Sequence, residues 1–217
     1  MSELYYGNLS KEFLPYLDKK NLFTEYFEEF SMQPFPRFLE TLEENEFIIQ
    51  TQQKAEQSSE WDKIKNFCFM WDSDLINSIK VTLNKLEIPY DDEYINFLTD
   101  TSEELGALVM QLKNHYQRAR PYQYALYGNQ KLNPYETGSG HNPSYPSGHA
   151  TQAHFIFKII SSHYEEKAPQ LMAVARKVAE SRVIMGIHFP SDNAFGVNIA
   201  ESLLSKPEII EKYIGEI

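Results

Sequence analysis

Apolar residues along this chain recur at three- and four-residue intervals and almost nowhere alternate, a pattern that selects helices over strands. Leu75, Ile76, Ile79, Leu83 and Leu86 form one such stripe, opened by Asp72-Ser73-Asp74 and stopped by Pro89. Leu105, Leu108, Val109 and Leu112 form a second, and Thr101-Ser102-Glu103-Glu104 in front of them reads as a capping box. The same periodicity predicts helices over residues 35–52, 147–164, 168–187 and 190–204. The expected class is therefore all-α. With 217 residues, 42% of them apolar, the chain can bury one ordinary core, so a single-domain helical bundle over residues 1–217 is the expectation.

Two segments interrupt the pattern. Residues 31–36 make a short connector that needs no function. Residues 127–146 hold Gly128, Pro134, Gly138, Gly140, Pro143 and Pro146, and irregular loops of that length are uncommon in compact domains unless they serve a site. The polar run 52–60 reads as a solvated helix end or linker. Twenty Lys and Arg against thirty-one Asp and Glu leave a net charge of -11, which repels nucleic acid and anionic lipid headgroups, so no nucleic-acid partner is expected. Cys68 is the sole cysteine, which excludes an internal disulfide and a Cys-rich zinc site and leaves it as a small buried hydrophobe. The first twenty residues lack the basic start and apolar run of a secretory leader. No run approaches the roughly 18 apolar residues of a membrane span, residues 183–189 being among the most apolar. A soluble, cytoplasmic protein without an integral membrane segment is the expectation.

Three clusters carry chemistry. Lys113 and Arg120 stand seven residues apart, close to two helical turns, so on a continuous helix both cations would face one point and Pro121 would mark the stop. Arg118, about half a turn from Arg120, is expected to be solvated. Alone, the pair fits an exposed basic face. Next, Tyr145-Pro146-Ser147-Gly148-His149 precedes a largely apolar helical stretch. A helix start offers unpaired N–H groups and the positive end of the dipole, and Gly148 lets an anion approach the backbone, so the stretch reads as an oxyanion cradle holding a histidine. Finally, Ser181-Arg182 is followed by His188 and Asp192, with Pro190 suited to a new first turn. A carboxylate there can fix one imidazole nitrogen and leave the other as a lone pair, which is how a nucleophilic histidine is built. A helix-capping Asp beside a packed His fits the same residues.

Together, three cations, an anion cradle and two histidines in different surroundings suit transfer of a tetrahedral oxyanion. Lys113-x6-Arg120-Pro121, Pro146-Ser147-Gly148-His149 and Ser181-Arg182-x5-His188-x3-Asp192 resemble the three signature motifs of the type 2 phosphatidic-acid phosphatase and vanadium haloperoxidase superfamily. Ser144-Tyr145-Pro146-Ser147-Gly148-His149 is similar to the class A bacterial non-specific acid phosphatases in particular. The likeness runs over about residues 105–204. It implies a helical bundle of the acid phosphatase type, with residues 101–205 as a catalytic core and residues 1–100 as N-terminal helices covering it. It further implies that His188 is the nucleophile, that Asp192 orients it and that His149 protonates the leaving alcohol. Lys113, Arg120, Arg182, Ser147 and the Gly148 N–H would then hold the phosphoryl oxygens.

The resemblance thus points to a metal-independent phosphatase that hydrolyses soluble phosphomonoesters through a phosphohistidine. It implies no metal site and no cofactor, with vanadate as an inhibitor, and association into a homodimer is consistent with it. The alternatives are a vanadium-dependent haloperoxidase, for which vanadate would be the cofactor, and a phosphate-binding protein without turnover. The other histidines read as structural or solvent-facing: His115 and His154 point away from the site faces, and His163 sits at a helix end. His141, in the loop, receives no role. Tyr122 and Tyr124 follow Arg120 closely enough to line a pocket.

Overall fold

In a computed structural model of the protein, residues 5–7 and 11–215 are described, and the regular elements among them are all helical. Their only pairing of strand type is an isolated antiparallel bridge between Tyr5 and Arg118. A short N-terminal run, with a 3-10 turn Lys11–Phe13, α1 Leu14–Leu17 and α2 Phe27–Ser31, leads into four longer helices. These are α3 Phe38–Glu56, α4 Trp61–Ser73, α5 Leu75–Lys85 and α6 Asp92–Tyr116. The second half contributes α7 Pro121–Tyr127, α8 Gly148–His163, α9 Ala168–Ile184, α10 Pro190–Leu203 and α11 Pro207–Tyr213.

The centre of the fold is α8, against which α6, α9 and α10 pack. Phe155, Ile156, Phe157, Ile159 and Ile160 are all fully buried, so this helix is apolar over most of its circumference, with Lys158 and Ser162 on its exposed edge. One layer of core joins Phe155 and Ile159 to Leu105, Leu108 and Leu112 of α6 and Ile199 of α10. Another joins Ile156, Phe157 and Ile160 to Trp71 of α4, Ile79 and Leu83 of α5 and Val178 of α9. Cys68 is buried against Met185 and Ile187, as its apolar neighbours suggested.

Several boundaries differ from the sequence expectation. The 101–104 segment is not a helix start: α6 begins nine residues earlier at Asp92, capped by Asp91, which accepts from the Tyr94 N–H at 2.8 Å. Ile95 and Leu98 extend the buried stripe through this segment, and the Thr101 hydroxyl donates back to the Phe97 carbonyl at 2.7 Å instead of capping. The cap of α5 is Asp74, while Ser73 and Asp72 finish α4. Residues 52–56 stay helical, and Gln52 is buried, donating to the carbonyls of Asn133 and Ile184 at 2.9 and 3.1 Å. Gln52 and Ala55 thus face the core, while Gln53, Lys54 and Glu56 are exposed at the end of α3, so the run is largely the solvated helix end that its composition suggests.

The larger correction concerns Lys113 and Arg120. They do not share a helix, because Gln117 takes the left-handed conformation (φ 51°) and ends α6, and residues 118–120 run on without helix. Pro121 opens α7, with Arg120 just before it, so the proline starts a helix where it was expected to stop one.

Helices α8 and α10 meet at Gly196, where an added Cβ would lie 2.7 Å from Thr151 Oγ1 and 2.8 Å from the Ser147 carbonyl oxygen. The second of these is backbone and cannot rotate away. Gly196→Ala is therefore expected to destabilise the fold by about 1–3 kcal/mol from overpacking, less the helix-propensity gain of up to about 1 kcal/mol. A thermal melt with an unchanged or higher Tm would show that the crossing relaxes without cost.

Candidate active site

Asp192 organises the site. It lies in the first turn of α10, and its Oδ2 accepts from the Phe189 N–H at 2.8 Å, capping its own helix, and faces His188 Nδ1 at 3.1 Å. The capping and orienting readings of this residue are both realised, because a carboxylate oxygen has lone pairs for two donors. With Nδ1 committed as donor, the lone pair of His188 lies on Nε2, 3.0 Å from Arg120 Nη1. The histidine stands between a carboxylate and a guanidinium, nearly fully buried.

The loop expected to border the site does so. Arg120 donates to the carbonyls of Asn142 (2.7 Å), Ile187 (2.6 Å) and Ser139 (3.1 Å), and to Asn142 Oδ1 (2.9 Å). Lys113 reaches in from α6 and donates to the Pro143 carbonyl. Ser147 is fully buried at the start of α8, its Oγ accepting from the Ala150 N–H at 3.4 Å, and its own N–H donates to the Asp192 carbonyl at 3.0 Å. At Gly148 an added Cβ would make only ordinary contacts, 3.5 Å to Val109 and 3.8 Å to Gln152. No protein neighbour demands glycine there.

Arg182, near the end of α9, is held by α4: it donates to Asp72 Oδ1 and to the Cys68 carbonyl, each at 2.9 Å, and Asp72 also accepts from Ser139 Oγ at 2.6 Å. Lys113, Gly148, His149 and His188 line one cavity of about 270 Å³ together with Ser139 and Asn142 of the loop. Among the described residues a larger groove of about 730 Å³, between α3, α9 and α10, includes none of the sequence-derived site residues.

Burial and mutual repulsion dominate the electrostatics. Burial, then the charges of Arg120, Lys113 and Arg182, push the His188 pKa well below its usual value. The same forces act on His149, burial first and then Arg182 and Lys113, opposed by a hydrogen bond to the Trp71 backbone. Burial also lowers Lys113 strongly, with Arg120 adding to the effect and Asp192 opposing it, and it brings Arg120 down to about 10. This concentration of like charge is unfavourable by itself and suits a site whose partner is a dense anion.

Arg118 is the site residue that periodicity misplaced. It is fully buried rather than solvated, donating to Asp192 Oδ1 at 2.6 Å, Ser191 Oγ at 2.7 Å, Thr41 Oγ1 at 2.9 Å and Glu44 Oε2 at 3.0 Å. Its guanidinium also sits 4.0 Å from the Phe189 ring centroid. Glu44 in turn accepts from the Ser191 N–H and hydroxyl, both at 2.6 Å. Glu44 and Asp72 come from the N-terminal helices, and the sequence singled out neither for the site.

Tyr124 does not line the cavity; it is buried edge-on against Phe189 at 5.6 Å, and Tyr122 is absent from the cavity wall. His115 and His141 are exposed, and His163 is the last residue of α8. His154 is buried, with Nε2 3.3 Å from Glu201 Oε1, and belongs to the larger groove.

The family model described as PAP2 superfamily matches residues 103–205, the segment that carries all three motifs. Residues 103–205 are a PAP2 superfamily domain. The chain is 30% identical over 121 residues to a lipid A 1-phosphatase of Rhizobium etli, covering 55% of this chain and 51% of that protein. It is 32% identical over 81 residues to a non-specific acid phosphatase of Salmonella typhimurium, covering 37% of this chain and 32% of that one. The chain thus spans about half or less of the length of these curated relatives, both named as phosphatases. Within the PAP2 domain lie all eight sequence-derived site residues, whereas Glu44 and Asp72 lie before it. No helix of the described residues is long and apolar enough to cross a membrane.

Proposed function

We propose that the protein is a metal-independent phosphomonoesterase that works through a phosphohistidine at His188. The observation that carries this reading is the placement of His188 between Asp192 at 3.1 Å and Arg120 at 3.0 Å, with Lys113 and His149 on the same cavity. In the first step His188 Nε2 attacks phosphorus and the ester P–O bond breaks. His149 gives its proton to the departing alcohol oxygen. Lys113, Arg120, Arg182, the Ser147 hydroxyl and the Gly148 N–H hold the three equatorial oxygens, and Arg120 exchanges its contact with Nε2 for one with the phosphoryl group. Asp192 stabilises the cationic phosphoimidazole. In the second step water attacks phosphorus, His149 takes its proton and the P–N bond breaks, so that ester and water yield alcohol and phosphate.

The shifted histidines fix the sign of the pH dependence. Because the His188 pKa is depressed below the ordinary value of about 6.5, its neutral form persists into acid, and the acid limb of kcat/KM should lie below pH 6.5. His149 is depressed as well, so it carries its proton at acid pH and regains it more readily beside a bound dianion. The alkaline limb of kcat should therefore fall at higher pH than that of kcat/KM. A panel of soluble phosphomonoesters, assayed across pH after exhaustive chelation, tests the proposal. Hydrolysis at undiminished rate with an acidic optimum supports it. Loss of activity restored by a divalent metal, an optimum above about pH 7.5, or halide oxidation with vanadate and peroxide in place of hydrolysis would overturn it.

A further inference from the structure

The reaction described above uses one end of the cavity; the other end is built for something else. Ser102, Gly106, Val109 and Lys113 line it from α6 at intervals of four, three and four residues, which is one helix face. At a rise of about 1.5 Å per residue the line from Lys113 back to Ser102 is about 16 Å long. It runs from the phosphoryl site along Val109 and Met110, both buried, and past Gly106, where an added Cβ would lie 3.4 Å from Gln152 Nε2. Two aromatic side chains three residues apart, Phe13 and Tyr16, line the same cavity. Both precede the PAP2 domain. Their segment is pinned to α6 by Gln111, whose side chain donates to the Tyr16 and Lys19 carbonyls at 3.2 and 2.9 Å.

The far end carries acceptors beside the Ser102 hydroxyl. The Gln152 amide nitrogen donates to the carbonyl and hydroxyl of Ser102, both at 3.0 Å, which leaves Gln152 Oε1 as an acceptor. Beside it, Glu103 adds an exposed carboxylate, ten residues from Lys113 on the same helix. Cations at one end and acceptors at the other suit a molecule with a single phosphate, a flat apolar body and no second anion.

From this geometry we infer that Phe13, Tyr16, Val109 and Met110 form a leaving-group subsite for monoesters of aromatic alcohols, and that Glu103 excludes a second anionic group. The inference rests on the phosphatase reading above, and its test separates the two. Benzyl, n-hexyl and methyl phosphate share the chemistry of a primary alkoxide leaving group and differ in what the subsite would hold. For the wild-type protein kcat/KM should rise at least tenfold from methyl to benzyl phosphate, because burying one aromatic ring strengthens binding by that much or more. Benzyl should also exceed n-hexyl phosphate severalfold, through ring–ring contact.

The double variant Phe13→Leu/Tyr16→Leu, which keeps the wall apolar, should lose the benzyl-over-hexyl preference while methyl phosphate turnover and inhibition by inorganic phosphate stay unchanged. Glu103→Gln should raise kcat/KM several-fold for 4-carboxybenzyl phosphate and not for benzyl phosphate. Equal kcat/KM for methyl and benzyl phosphate, or a benzyl preference untouched in the double variant, would overturn the subsite. Failure of the wild-type protein to hydrolyse any of the three esters would instead overturn the phosphatase reading.

Discussion

Replacing His188 with alanine is expected to lower kcat/KM by at least about four orders of magnitude, the scale on which removing a catalytic nucleophile acts. The stability cost should be small in comparison. His188 contacts Asp192 and Arg120, and when the ring is gone Asp192 retains Arg118 and the Phe189 N–H while Arg120 retains the carbonyls of Asn142, Ile187 and Ser139. A variant that melts near the wild-type temperature, binds inorganic phosphate and does not turn over is the expected result. Residual hydrolysis within tenfold of wild type would mean that another group attacks phosphorus.

The second large effect belongs to Arg118. It is fully buried and bridges Asp192 and Glu44, so Arg118→Met leaves a buried carboxylate without its countercharge. Breaking a buried pair by removing one partner costs about 3–5 kcal/mol, and for a chain of this size that is a fall in Tm of roughly 6–20 °C. Arg118 acts on the reaction through Asp192, and a purely structural role would not reproduce the accompanying change in titration. With the guanidinium gone, Asp192 presents more negative potential to His188 and favours its protonated form. The His188 pKa therefore rises, and the acid limb of kcat/KM should move to higher pH. A Tm within about 2 °C of wild type together with an unmoved acid limb would separate Arg118 from the site.

These two residues also mark what a sequence can and cannot tell. His188, Asp192, His149 and Arg182 were legible because a helix start and a helix end fix short-range spacing, and the chemistry of each residue type narrows its use. The four-residue step from His188 to Asp192 needs only a proline-initiated turn between them. Arg118 was misplaced because its expected exposure assumed a continuous helix, and the left-handed Gln117 breaks that helix. Glu44 and Asp72 were not singled out for a different reason. They meet Arg118 and Arg182 across 74 and 110 residues, and nothing local distinguishes them among thirty-one acidic side chains. The start of α6 was mistaken because Thr101 and Ser102 are good caps in isolation, while the apolar stripe through Ile95 and Leu98 carries the helix past them.

Both halves of the chain contribute side chains around His188 and Arg182. The PAP2 domain carries the groups that the proposed mechanism assigns to phosphorus, and α3 and α4 carry the carboxylates that pair with Arg118 and Arg182. The positive charge around the cavity is offset in part by Asp72 and Asp192, and an entering anion would offset it further. Both histidines have depressed folded-state pKa values, so the unfolded chain takes up protons that the folded chain does not as pH falls below about 6.5. Stability is lost in that window, and binding of an oxyanion would offset the loss.

In the proposed mechanism phosphorus becomes bonded to His188 Nε2 during turnover. Alkaline quench of a phosphomonoester reaction in its first turnovers, followed by digestion and mass spectrometry of the peptide holding residues 183–192, measures this directly. The expected result is a phosphorylated His188 that is stable to base, lost in acid and absent from His188→Ala. Phosphate carried on any other residue, or a steady-state rate with no covalent phosphoenzyme on that peptide, would contradict it.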